Sequence, residues 1–130
     1  MEEFVKVPKV YFEIPVFDLS RAAAFYTQVF GFEFEEELVE RNGIEQLSFQ
    51  EENLGICGAL AKGDMYSPNS NQVAFYYKTY DIDAVLSNVL KAGGTVILPK
   101  KIEDNLRYIV AEFGDCEGNR IALHQIYPSK

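Results

Sequence analysis

At 130 residues and a formal net charge of −8, the chain is long enough to bury a core of its own but has the wrong sign for nucleic acid, whose phosphates need a clustered positive field. The acidity keeps solvated faces in water and admits a cationic ligand. No apolar run approaches the roughly 20 residues of a membrane span, and Met1-Glu2-Glu3 has the wrong charge to open a signal peptide; with Cys57 and Cys116 outside any Cys-x-x-Cys spacing, the expected setting is a reducing cytoplasm.

Val10 to Val16 alternates Val10, Phe12 and Ile14 with Tyr11 and Glu13, which predicts a strand. Asp18 or Ser20 then caps a helix bearing the stripe Leu19, Ala22, Ala23, Tyr26 and Phe30, and Gly31 ends it. Phe32 and Phe34, alternating with Glu33 and Glu35, predict a second strand, and Asn42-Gly43 a tight hairpin. Ile44 to Gln50 reads as strand three. Glu51-Glu52-Asn53 turns into an apolar strand over Leu54 to Ala61, whose Gly55 and Gly58 point to a bend or a close approach by another group.

The stretch 62–71 reads as a linker, after which the plan restarts. Val73 to Thr79 predicts a strand with Val73, Phe75 and Tyr77 on one face. Asp81 opens a helix with Ile82, Val85, Leu86 and Val89 as its stripe, and Gly93-Gly94 closes it. Thr95 to Leu98, Leu106 to Phe113 and Arg120 to Ile126 complete the copy, with a turn over Gly114 to Asn119. Phe12 and Phe75, Asp18 and Asp81, and Gly31 and Gly94 all stand 63 residues apart, so the chain is a duplicated module rather than a solenoid. The expected class is α+β: two tandem βαβββ modules, about 8–61 and 72–127, in one domain.

That duplication, with Phe12-x-x-Pro15-x-x-Asp18-Leu19-x-Arg21-Ala22-x-x-Phe25-Tyr26 leading to Phe30-Gly31-Phe32, and with Gly114-Asp115-Cys116-Glu117-Gly118-Asn119-Arg120 near the end, resembles the glyoxalase/bleomycin-resistance/dioxygenase (vicinal oxygen chelate) superfamily. The nearest likeness is to its branch of enzymes related to lactoylglutathione lyase, in which a proline usually stands at the position of Cys116. The resemblance implies helices outside and a curled sheet around a cleft. Strand parity then turns Tyr11 and Glu13, Gln72, Ala74, Tyr76 and Lys78, and Ala122 and His124 toward that cleft.

Metal-dependent members place His or Glu at four cleft positions, where a divalent cation acts as a Lewis acid. Carried over, those positions fall on Tyr11, on Ala74 or Gln72, on Ala122 and near Gly58, a poor donor set for a first-row metal, so no metal or other cofactor is expected. Glu13 is the candidate general base and His124 a second acid/base group; beside these stand the structural readings, Glu13 paired with Lys78 or a tyrosine hydroxyl, and His124 an ordinary hydrogen-bonded residue. Tyr11, Tyr76, Tyr77 and Tyr80 offer an aromatic wall, from which core parity removes Tyr77. The expected ligand-binding set is Tyr11, Gln72, Ala74, Tyr76, Lys78 and Ala122. Two functions stay open: a metal-independent lyase or isomerase moving a proton with Glu13 or His124, and a protein that sequesters an aromatic or cationic small molecule without turnover. A homodimer is expected from the family resemblance and from open edge strands.

Overall fold

The computed structural model describes residues 10–51, 56–103 and 108–126. Two modules follow one another. The first runs β1 (Val10–Pro15), α1 (Leu19–Phe30), β2 (Val39–Arg41), β3 (Ile44–Glu51) and β4 (Ile56–Lys62); the second runs β5 (Val73–Lys78), α2 (Ile82–Lys91), β6 (Thr95–Glu103), β7 (Tyr108–Gly114) and β8 (Arg120–Ile126). Each builds a four-stranded mixed sheet, ordered β1-β4-β3-β2 and β5-β8-β7-β6, whose first and last strands pair in parallel. The class is α+β, built as two βαβββ units.

The repeat is faithful where local chemistry is repeated. Asp18 Oδ1 accepts from the Arg21 amide and Asp81 Oδ1 from the Ala84 amide, both at 3.1 Å, satisfying an orphan donor of each first turn. Gly31, at φ 74°, ends α1 in the left-handed region. In the second copy, of the expected pair Gly93-Gly94, the left-handed residue is Gly93, at φ 99°, one position before the repeat partner of Gly31. Gly94 instead permits close packing, since a Cβ there would lie 2.5 Å from the Gly114 carbonyl oxygen, so the chain entering β6 comes this close to the end of β7 only as glycine.

Some boundaries depart from the sequence reading. Phe32 to Glu35 is not a continuous strand; Phe34 makes a single bridge to Phe49, and the ladder resumes at β2, where Asn42-Gly43, both at positive φ, fixes Arg41 opposite Ile44. Phe32 is instead drawn into the core, its ring stacked 4.4 Å from that of Phe49. Strand β6 runs past Leu98 to Glu103, crossing Pro99 within the register shift between Leu98 and Lys101, which an edge strand tolerates because its outer amides need no partner. Glu51 belongs to β3. The expected turn residues Glu52-Asn53, the strand start at Leu54-Gly55, Leu106 and the module end before Val10 lie outside the described residues.

The core is continuous through both modules. Phe12 of β1 stacks on Phe75 of β5 with centroids 4.6 Å apart, and Phe30 of α1 on Tyr77 at 3.9 Å. Helix α1 reaches both sheets, which is why its buried face (Ala22, Phe25, Tyr26, Val29) is wider than the stripe read from sequence and takes in Phe25 and Val29.

The 115–119 turn joins the modules through buried polar groups. Asp115 accepts from the amides of Glu117 and Asn119 (both 2.8 Å), from the Tyr26 hydroxyl (2.6 Å) and from Asn119 Nδ2 (3.1 Å), filling its four lone-pair sites. Glu117, its side chain sealed from solvent, accepts from the Phe17 and Asp18 amides with one oxygen and from the Arg21 guanidinium with the other. Asn119 donates to the Pro15 carbonyl (2.8 Å) and accepts from the Asn69 amide (3.2 Å). Burial and the Asp115 carboxylate hold the Tyr26 phenol well above its usual range.

Glu117→Gln keeps the side-chain volume but turns an N–H toward the Arg21 fork. Urea unfolding is expected to show a loss of about 2–4 kcal/mol, as for a buried acceptor of charged donors; an unchanged midpoint would mean that the turn does not hold the modules together.

Candidate functional site

Period-two geometry in β1 sends Phe12 and Ile14 into the core and turns Tyr11 and Glu13 to the opposite, helix-distal face. In β3 the same alternation buries Phe49 and packs Leu47, leaving Gln46 and Ser48 on the face that Glu13 shares across β4. Beneath them Ala59 and Ala61 of β4 are small and fully covered.

Glu13 is the hub of this face. Its Oε2 accepts from the Tyr11 hydroxyl (2.7 Å) and Gln46 Nε2 (2.6 Å), and its Oε1 from the Tyr66 hydroxyl (3.1 Å). Tyr66 arrives from the turn after β4, where its amide donates to the Gly63 carbonyl at 3.0 Å. All three donors are neutral, and among the described residues Glu13 forms no ion pair. The tyrosine-hydroxyl pairing read from the sequence is therefore present, and Lys78 does not supply it. A concavity of about 260 Å³ opens here, lined by Tyr11, Glu13, Arg41, Asn42, Ile44 and Gln46. Neither Gln46, Arg41 nor Tyr66 was among the expected site residues. Parity could have found Gln46 once β3 was placed; nothing local marks Tyr66, which lies in the supposed linker.

The second module carries a separate group on its helix-distal face. The His124 ring stacks on Tyr108 at 4.9 Å and meets Tyr76 edge-on at 5.2 Å. Ala122, buried, lies in register between Tyr76 and Glu112, and Arg120 bonds Glu112 at 2.5 Å. Lys78 is exposed opposite His124; Gln72 and Ala74 are exposed at the start of β5, where the register shifts. Tyr80 is fully exposed beyond the strand. Thus Tyr11 joins Glu13, and Tyr76 and Ala122 join His124, but among the described residues no hydrogen bond links Glu13 to His124.

The donor set does not fit a divalent metal. Tyr11 is committed to Glu13, and burial, that hydrogen bond and the carboxylate's charge push its phenol up to about 12, far from a phenolate ligand. Ala74 and Ala122 bring no donor. Gly58 faces the core rather than the cleft, since a Cβ there would meet the Phe12 carbonyl oxygen at 2.5 Å and the Phe49 ring at 3.0 Å; this is the close approach its glycine permits. No cluster of three His, Cys, Asp or Glu side chains suited to a metal occurs among the described residues. Both cysteines are free, and burial, followed by the Asp115 charge, pushes the Cys116 thiol to about 11, well away from nucleophile chemistry.

Because Tyr11 ionises higher folded than unfolded (about 10), its contribution to stability is complete below that pH and is lost as pH rises through about 12. Ultraviolet titration of tyrosinate, with Tyr11→Phe identifying its step, is expected to show Glu13→Gln moving that step down toward the usual value. An unmoved step would uncouple the pair.

The comparisons with known proteins agree with this architecture. Structures with the same fold include TnmS3, an antibiotic binding protein from Streptomyces sp. CB03234 (24% identity, TM-score 0.70, covering 99% of this chain and 100% of that one). A glyoxalase/bleomycin resistance protein from the same organism aligns at 25% identity and TM-score 0.68, over 89% of this chain and 98% of that one. The genomically encoded fosfomycin resistance protein FosX from Listeria monocytogenes aligns at 14% identity and TM-score 0.65, over 100% and 96%. A search of curated proteins finds no match. No helix among the described residues is long and apolar enough to cross a membrane. The family model of the Glyoxalase/Bleomycin resistance protein/Dioxygenase superfamily matches residues 10–123, and with that match spanning both modules the chain belongs to this superfamily.

Proposed function

We propose that the chain binds a small cationic molecule on the helix-distal face of its first sheet and holds it without chemical change. The observation that carries this reading is the Glu13 carboxylate, whose charge meets three neutral hydroxyl and amide donors and no protein cation among the described residues. A carboxylate so held is oriented but not neutralised, and an incoming cation completes it. The ring of Tyr11, 56% exposed beside it, adds a π face for the same cation, and the net charge of −8 favours its approach. TnmS3 and FosX, named for antibiotic binding and fosfomycin resistance, give the fold precedent for small-molecule recognition.

The alternative is proton transfer by Glu13, favoured by one feature: Oε1 accepts a single hydrogen bond, from Tyr66, and keeps a lone pair. His124, the other acid/base candidate, lies in the second aromatic group with Tyr76, Ala122 and Lys78, which we assign, with Gln72 and Ala74, to contacts with a larger ligand's far end. We further assign the protein to the cytoplasm, on its two free thiols, and to a homodimer, on the edge strands β2 and β6, each paired on one side in its sheet.

Benzamidinium and its neutral isostere benzamide separate charge from shape. Calorimetry is expected to give tighter binding of the cation, with the preference abolished in Glu13→Gln. If benzamide binds as well as benzamidinium, or if Glu13→Gln keeps the preference, the cation reading fails. Turnover of a bound ligand that disappears in Glu13→Gln would establish the proton-transfer alternative instead.

A further inference from the structure

The concavity beside Glu13 holds a second charge that a simple cation would leave unused. Arg41, the last residue of β2, lines the same space, and it makes no hydrogen bond or ion pair with any described residue. In this it differs from Arg21 and Arg120, which are committed to Glu117 and Glu112. The Asn42-Gly43 turn fixes the place of Arg41: both turn residues are left-handed, at φ 55° and 80°, and lock Arg41 opposite Ile44. Asn42 adds an uncharged polar group to the wall, and Ile44 an apolar one. One small space therefore presents an acceptor with an open lone pair at Glu13 Oε1 and a guanidinium whose donors have no partner among the described residues.

Resting on the proposal that this face binds a cation, we infer that the ligand is a small zwitterion, its ammonium set on Glu13 and its carboxylate on the Arg41 fork. A guanidinium matches a carboxylate with two parallel N–H donors, which an ammonium cannot do, so Arg41 sets specificity rather than general attraction. The volume, about 260 Å³, lies below the roughly 300–1,000 Å³ of sites for drug-sized ligands, which suits a molecule of amino-acid size or the charged end of a longer one. The two opposite charges also account for a site in an acidic protein whose rim carries a cationic residue with no partner among the described residues. A purely cationic ligand leaves Arg41 unused, and a purely anionic one leaves Glu13 unused.

The ω-amino acids from glycine to 6-aminohexanoate, each beside the n-alkylamine that lacks its carboxylate, scan the spacing between the charges. By ligand-observed NMR titration, at least one chain length is expected to bind about tenfold tighter than its amine, the size of one exposed charge-assisted contact. Arg41→Gln is expected to erase that difference and leave amine binding in place, and Arg41→Lys to restore part of it. Residue 41 is exposed at a hairpin end, so these variants test recognition rather than folding. If amines or benzamidinium bind through Glu13 while no amino acid exceeds its amine, or if Arg41→Gln keeps the preference, the zwitterion inference is overturned and the cation reading stands. If no cation and no amino acid binds the wild type, both fall.

Discussion

The structure depends on a five-residue turn that carries two buried carboxylates. Asp115 and Glu117 sit where an uncompensated charge would be costly. Asp115 takes donors from its own turn and from the Tyr26 hydroxyl of the first module, and Glu117 takes all of its donors from that module, the Arg21 guanidinium and the amides before α1. Asn119 then donates to the Pro15 carbonyl, two residues from Glu13. The turn thus fixes the end of β1 relative to β8, and with it the position of the site carboxylate. Ring stacking between Phe12 and Phe75 fixes the same strand from the core side. The modules are joined by side chains rather than by a shared ladder, and the site inherits its rigidity from that joint.

Three glutamates show how surroundings set the role of one residue type. Glu117 is buried and paired with Arg21; Glu112 is half-buried and paired with Arg120; Glu13 is half-buried and, among the described residues, meets only neutral donors. The first two satisfy protein cations. The third orients a charge toward solvent, with Tyr11 and Tyr66 as its supports, and Arg41 nearby, without a partner among the described residues, is its counterpart of opposite sign. The His124 group is built differently, from ring contacts to Tyr76 and Tyr108, and it offers surface for stacking rather than a fixed charge.

Local chemistry is legible in the sequence. Asp18 and Asp81 cap the helices, Asn42-Gly43 makes the hairpin, Gly31 ends α1, and period-two alternation correctly turns Tyr11 and Glu13 away from the core. What stays hidden depends on contacts far apart in the chain. Phe32 and Phe34 alternate as a strand does, yet the ring of Phe32 stacks on Phe49 in the core and only Phe34 bridges to the sheet. Family resemblance puts Gly58 near the cleft, whereas register with Phe12 and Phe49 sets it in the core. Tyr66 escapes notice because its stretch is rich in turn residues, and only the fold brings its hydroxyl to Glu13 over a separation of 53 residues.

The claim that the first sheet's helix-distal face is the binding face is tested most directly by locating a bound cation. In a heteronuclear NMR titration with benzamidinium, the account expects the largest shifts at the Gln46 side-chain amide and at the ring signals of Tyr11 and Tyr66, with Tyr76, Tyr108 and His124 little changed. Shifts confined to the second group, or spread evenly over the surface, would contradict it.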